Sequence, residues 1–319
     1  MKRTLIIKLG ALGDVIRTTP LLRVLQGEIT WVTSTSAMPF LSYAPQITSL
    51  LAVDDPAFRL EGKYDLVINL EDDLSSAQLA TTATRETVIG PYLKEGEVVY
   101  DERSSEWFDM SLSSRYGRVR ADQLKLKNRK TYQEMIFSAL GLTFRGEDPV
   151  LCLPLQKPLV PGLVGIEARA GGVWPTKQWR RFGEVAERLE GLGYGVTFFQ
   201  QRDSVVNYAD DINQCEYVIC ADTLAMHLGL ALGKSVVALF TCTSPWEIYG
   251  YGRLAKVVSP RLEQFFYQRA YSAEPGDAIS VAAVMDSFQI VARHSKPCAP
   301  VDHSQLHYSP VDRRLASSD

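Results

Sequence analysis

The sequence predicts an α/β protein of two lobes, each a parallel sheet flanked by helices. Three observations predict it. Apolar, β-rich runs alternate with helix-period segments across short turns. The alternation stops at a proline cluster (Pro154, Pro158, Pro161) and then restarts with the same architecture but no repeated sequence. The chain has 319 residues, 46% hydrophobic and 22% charged, enough for two domains with cores of their own. The expected boundaries are 1–155 for the first domain and 156–294 for the second. Residues 295–319 hold three prolines and five serines among few apolar residues, and are expected to be a loose tail.

In the first half, residues 4–9 form a strand, followed by the turn Gly10-Ala11-Leu12-Gly13-Asp14. A helical pattern then runs through Val15, Ile16, Leu21, Leu22 and Leu25 to Gly27. Residues 29–33, 49–53 and 65–70 are further strands, and 131–140 a helix with Gly141 at its C-cap. In the second half, strands are expected at 163–167, 194–200, 217–221 and 236–240. Helices are expected at 177–192, 223–232 and 279–293.

Composition narrows the function. It excludes a collagen, a coiled coil, a disulfide scaffold and a wholly disordered chain. A net charge of −3 argues against a nucleic-acid binder. One local exception runs from Ser114 to Lys130. There Arg115, Arg118, Arg120, Lys125, Lys127, Arg129 and Lys130 face Asp122 alone. This stretch suits anionic sugars, a phosphorylated acceptor or a lipid surface, or else it is a solvated loop. No uncharged apolar run approaches the ~20 residues of a membrane span. The apolar part of the N-terminus is too short for a secretion signal, and Lys8 interrupts it. Five scattered cysteines without a Cys-x-x-Cys pair fit reduced thiols in a cytosol.

Ligands of open α/β sheets sit beyond the carboxyl ends of strands. The chemistry-bearing residues stand at such places. Asp14 either caps a helix or sits at the mouth of a cleft. Glu71 and Asp72, with Asp73, end a strand and either line the acceptor side or form a solvated turn. Asp222-Thr223-Leu224-Ala225-Met226-His227 opens a helix whose free amides suit a diphosphate. Asp222 caps that helix or holds sugar hydroxyls; His227 faces the ligand or packs. The loop from Ala168 to Trp179 combines Arg169 and Lys177 with Gly171, Gly172 and two tryptophans. It either anchors phosphate or is a surface loop pinned by its Trp side chains. Thr241-Cys242-Thr243-Ser244-Pro245 completes a phosphate pocket or is an ordinary turn.

Three of these pieces, in order, resemble glycosyltransferase family 9, the ADP-heptose:lipopolysaccharide heptosyltransferases and their relatives. They are Ile7-Lys8-Leu9-Gly10-Ala11-Leu12-Gly13-Asp14-Val15-Ile16-Arg17-Thr18-Thr19-Pro20, Gly172-Val173-Trp174-Pro175-Thr176-Lys177-Gln178-Trp179, and Asp222-Thr223-Leu224-Ala225-Met226-His227-Leu228 with residues 232–240. The resemblance implies a GT-B fold, two Rossmann-like domains facing across a cleft. It implies inverting, metal-independent transfer without a cofactor, from a nucleotide-diphosphate sugar such as ADP-heptose to a saccharide or glycolipid such as lipopolysaccharide core. Asp14 matches the general base. The donor side would comprise Arg169, Lys177, Asp222, Thr223, Leu224, Ala225, His227 and Thr243; the acceptor side Gly13, Arg17, Glu71 and Asp72. A cytoplasmic location follows, with possible peripheral contact at the inner membrane. The sequence departs from the family where Thr241-Cys242-Thr243 replaces Gly-Pro-Thr, and where Gln200-Gln201-Arg202-Asp203 replaces an acidic nucleoside contact. The rival classes are a nucleotide-sugar epimerase of the same fold and a non-catalytic nucleotide-sugar binder.

Overall fold

The computed structural model describes residues 2–294; the expected tail over 295–319 lies outside the described residues. Two five-stranded, all-parallel sheets dominate it. The first contains β1 (Arg3–Ile7), β2 (Glu28–Thr33), β3 (Ser49–Ala52), β4 (Tyr64–Asn69) and β5 (Thr84–Ile89), in the order β3-β2-β1-β4-β5. A hairpin of β6 (Pro91–Lys94) and β7 (Glu97–Tyr100) follows it. The second sheet contains β8 (Leu163–Glu167), β9 (Gly195–Phe198), β10 (Tyr217–Ala221), β11 (Ser235–Phe240) and β12 (Leu254–Val258), in the order β12-β11-β10-β8-β9.

The helices of the first half are α1 (Leu12–Thr18), α2 (Met38–Leu41), α3 (Leu74–Ala83), α4 (Ser105–Phe108), α5 (Arg118–Lys127) and α6 (Tyr132–Ala139). Those of the second half are α7 (Phe182–Gly191), α8 (Val205–Gln214), α9 (Leu224–Ala231), α10 (Glu274–Asp277) and α11 (Val281–His294). Helix α6 starts on a capping box, with Thr131 accepting from the Glu134 amide and Glu134 reaching back. Gly141 behind it has φ +72°, the left-handed conformation of a helix stop.

Two expected helices begin or end differently. The first breaks after Thr18, where Pro20 turns the chain into a 3-10 segment, Thr19–Arg23. The helix expected from Lys177 begins at Phe182, because Pro175–Lys177 forms a separate 3-10 turn. The basic stretch is not all loop: α5 occupies most of it, with Arg118 paired to Asp122 at 2.8 Å.

The strands bury both faces, as parallel strands do. In β1, Leu5 and Ile7 join a core on one side and Ile6 a core on the other. In β10, Tyr217 and Ile219 face the layer under α7 and α11, while Val218 and Cys220 face inward. That inner core is continuous from Ile6 and Trp31 of the first lobe to Val218 and Phe240 of the second. Across the junction the Tyr132 amide donates to the Glu247 carbonyl at 3.0 Å. Gln133 Nε2 donates to the Tyr251 hydroxyl at 3.2 Å, and Phe144 meets Tyr249 edge-on at 4.9 Å. Among the described residues Cys152, Cys215, Cys220 and Cys242 are unbridged.

Candidate active site

In the first sheet β1 and β4 are neighbours in space but not in sequence. Their chains leave the sheet in opposite directions, which opens a crevice at their carboxyl ends. Into it run Lys8, Leu9 and Gly10 after β1, and Leu70, Glu71 and Asp72 after β4. Glu71 closes the loop. Its Oε1 accepts from Lys8 Nζ at 2.9 Å, from the Leu9 amide at 2.6 Å and from the Gly10 amide at 3.2 Å. Asp72 accepts from the Leu112 amide, and Asp73 caps α3. None of the three is merely solvated.

Asp14 does not cap α1. The N-cap is Ala11, and Asp14 stands inside the first turn. Its Oδ1 lies 3.0 Å from Arg17 Nε, with the Asp14 side chain 35% exposed and the Arg17 side chain 12%. The Arg17 guanidinium rests on the Tyr132 ring, 4.2 Å from its centroid. Burial pushes the Asp14 carboxyl up, but Arg17, Lys8 and His227 outweigh it and hold it below the usual carboxylate range. Burial likewise opposes the charge on Lys8 and Arg17, and nearby carboxylates hold both above their ordinary values.

The second sheet repeats the arrangement between β8 and β10. Lys177 Nζ donates to the Asp222 carbonyl at 2.6 Å and to its Oδ2 at 2.7 Å; Thr243 Oγ1 donates to the same Oδ2 at 2.7 Å. Burial raises the Asp222 carboxyl, yet Lys177 and the groups beside it bring it down to about 2. Asp222 is not the cap of α9. Thr223 is, and its side chain makes no capping bond; the Met226 amide bonds to the Thr223 carbonyl, which leaves those of Leu224 and Ala225 to a ligand. His227, one turn in, is held down to about 4 by burial despite the pull of Asp222, so it is neutral near pH 7. Arg169 is paired to Glu167 through Nε at 2.8 Å and Nη2 at 2.7 Å, and Tyr208 donates to the same carboxylate at 2.6 Å. Of the loop tryptophans, Trp179 is buried, and Trp174 meets Tyr267 edge-on with Arg269 over its ring. The loop is therefore both pinned and cationic.

The two crevices face each other. A cleft of about 600 Å³ is lined by Gly13, Asp14, Arg17, Glu71 and Asp72 from one lobe and by Lys177, Asp222, Thr223, Leu224, His227 and Thr243 from the other. Arg169 and Ala225 do not line it. They line an adjoining pocket of about 550 Å³, which shares Lys177 and Asp222–Leu224 with the cleft. The lobes also touch at Gly13: a Cβ there would stand 2.4 Å from His227 Cδ2. The cleft also contains Trp107, Lys125, Glu247, Tyr267 and Arg269. Of these only Lys125 carried a sequence signal, through the basic stretch; the others stand in segments without strand or helix periodicity. Among the described residues no group of three or more His, Cys, Asp or Glu is placed to hold a metal ion.

Residues 204–273 match the sequence model of glycosyltransferase family 9 (heptosyltransferase). No curated protein matches the sequence significantly. Among solved structures, the glycosyl transferase family 9 protein of Veillonella parvula superposes with a TM-score of 0.64 at 20% identity, over 92% of this chain and 98% of its own. ADP-heptose lps heptosyltransferase II of E. coli superposes at 0.56 and 16% identity, over 92% and 99%. E. coli heptosyltransferase WaaC with ADP-2-deoxy-2-fluoro heptose superposes at 0.53 and 15% identity, over 92% and 100%. The fold is thus the two-lobed GT-B fold. The family-model match bears out the resemblance to glycosyltransferase family 9, and with it the reading of the chain as a glycosyltransferase.

Proposed function

We propose that the protein transfers a heptose, with inversion and without a metal, from ADP-heptose to a hydroxyl of a saccharide or glycolipid such as lipopolysaccharide core. The observation that carries this reading is that Asp14 and Lys177, from opposite lobes, line one cleft. The donor diphosphate lies against Lys177 and the start of α9, with the nucleoside in the adjoining pocket beside Arg169. The acceptor lies in the first lobe by Arg17, Glu71 and Asp72. Asp14 takes the proton of the acceptor hydroxyl, and that oxygen bonds to the anomeric carbon. The bond from that carbon to the phosphate oxygen breaks, and its electron pair leaves with the diphosphate. Base and leaving group stand on opposite walls, so attack comes from the far face and the configuration inverts. Negative charge grows on the diphosphate in an oxocarbenium-like transition state, and fixed donors aimed there stabilise that state over the ground state.

No helix among the described residues is long and apolar enough to cross a membrane. A cytoplasmic enzyme touching the inner face of the membrane fits the exposed Leu112, Tyr116 and Val119 beside the basic residues of α5. The test is a thermal-shift panel of ADP-, UDP-, GDP- and dTDP-sugars, followed by transfer assays with the sugar that binds. A ligand at 100 times its Kd adds about 2.7 kcal/mol of stability. ADP-heptose should give the largest shift; a larger shift with another base overturns the donor, and tight binding without turnover overturns the transferase.

A further inference from the structure

The ion pair that holds Asp14 below the usual carboxylate range also weakens it as a base. Accepting the reading of Asp14 as that base, we propose that Glu247, on the second lobe, is a positioning residue that takes Arg17 over from Asp14 during turnover and so frees the base. Glu247 is 4% exposed and lines the cleft. Its Oε1 accepts no hydrogen bond, and its ion pair with Lys125 Nζ is long, 3.8 Å. Arg17 Nε is also buried without a hydrogen bond, because its 3.0 Å contact with Asp14 lacks the alignment of one. An orphan donor and an orphan acceptor of opposite charge thus belong to two residues that share the cleft and a second small void behind it. Leaving either group without a partner costs free energy that a shared bond would recover.

The surroundings single out Arg17. The charged and titratable groups around Asp14 are Arg17, Lys8, His227 and Asp222; those around Arg17 are Asp14, Glu247, Tyr132 and Tyr267. Lys8 is fixed by Glu71, Lys177 by Asp222, and His227 is neutral near pH 7. Arg17 alone has a second carboxylate with an open acceptor. Its guanidinium rests on the Tyr132 ring, and the Tyr132 amide is bonded to the Glu247 carbonyl, which holds the two segments together. A guanidinium has five N–H donors and keeps its charge throughout such a shift. The shift needs no proton of its own; the only proton that moves passes from the acceptor hydroxyl to Asp14.

The test is a double-mutant cycle in the full chain: Asp14→Asn, Glu247→Gln and both, by urea unfolding at pH 7. If the two carboxylates share Arg17, each single variant leaves it one partner. The double variant then loses more in its midpoint than the two singles together; additive midpoints overturn the proposal. The second readout is ADP-heptose turnover against pH. Glu247→Gln should lower kcat roughly tenfold, keep the KM for ADP-heptose within twofold and move the acid limb to lower pH; Glu247→Asp should restore part of the rate. A Glu247→Gln profile that superimposes on the wild type overturns the handover. Non-additive midpoints in a protein that ignores ADP-heptose would uphold the sharing of Arg17 and sink the donor assignment instead.

Discussion

The two crevices have the same topological origin and differ in how tightly their carboxylates are held. In the first, the amides of Leu9 and Gly10 are taken by Glu71, and a second carboxylate, Asp14, stands in the first turn of α1. Both are paired with cations, Glu71 with Lys8 and Asp14 with Arg17, but Asp14 is 35% exposed and holds its cation by an ion pair without a hydrogen bond. In the second, the carboxylates are neutralised in place, Asp222 by Lys177 and Thr243 and Glu167 by Arg169 and Tyr208. The start of α9 has no side-chain cap. On the proposed reading, the lobe whose carboxylate stays partly exposed takes the hydroxyl, and the lobe whose carboxylates are hydrogen-bonded in place takes the diphosphate.

The largest expected effect breaks the first crevice. Asp14→Asn keeps the shape and removes the base; turnover should fall by roughly 10²–10⁴, with donor affinity within a few-fold by calorimetry. Equal loss of donor affinity would make Asp14 part of the donor site and erase the contrast. Next comes Lys177→Ala in the second crevice. It removes a fixed cation from the leaving diphosphate, worth about 2.7–4 kcal/mol in other enzymes, and leaves Asp222 buried without its cation. Donor affinity and transfer should both fall; an unchanged donor Kd removes Lys177 from the donor site.

Much of this was legible in the sequence because strand ends announce themselves. The runs before Gly10, Glu71, Arg169 and Asp222 are apolar and β-rich, and each is followed by a glycine or an acid that stops it. Period and punctuation therefore found the crevices and most of their residues. They did not find α8, although five of its ten residues are apolar, or α3 and β5, which lie in a Thr- and Ala-rich stretch without clear alternation. Nor did they find Glu247 and Tyr267, which reach the cleft from irregular segments. Tertiary packing alone places those, through the Tyr132–Glu247 bond and the Trp174–Tyr267 contact. The sequence also left open whether Asp14 and Asp222 cap their helices. The answer turned on which residue has extended backbone, Ala11 in one case and Thr223 in the other.

A pH titration of stability should separate the crevices further. Lys8 and Arg17 are held above their ordinary values, and Asp14 below its own, so each of the three is held toward its charged form. His227 does not behave that way. Its folded pKa is lowered to about 4 from the ordinary 6.5. As pH falls through 6.5 the unfolded chain takes up that proton and the folded chain does not, so stability drops until about pH 4, by about 3 kcal/mol in all. Asp222, at about 2 when folded, adds a second loss from its ordinary 3.8 downward. Urea unfolding should show both limbs. His227→Gln should remove the upper one and keep the lower; an unchanged upper limb would assign it to other histidines.

The smallest effect concerns Arg169, and it tests how far the donor site extends. Arg169 lines only the outer pocket, its side chain is 45% exposed, and its fork is already engaged with Glu167. A cation so placed meets the nucleotide across solvent and a competing carboxylate. Arg169→Ala should therefore weaken ADP-heptose binding only a few-fold, within the ~1 kcal/mol typical of exposed ion pairs. It should leave kcat unchanged, because no charge develops at the nucleoside end of the leaving group. Losing the Arg169 side chain also leaves Glu167, which is 4% exposed, without its cation, with the amide of residue 169 and the Tyr208 hydroxyl as its donors. Part of any loss is then repulsion from that carboxylate, and the double variant with Glu167→Gln should recover it. A fall in kcat comparable to that of Lys177→Ala would bring Arg169 to the departing phosphate and move the boundary between cleft and outer pocket.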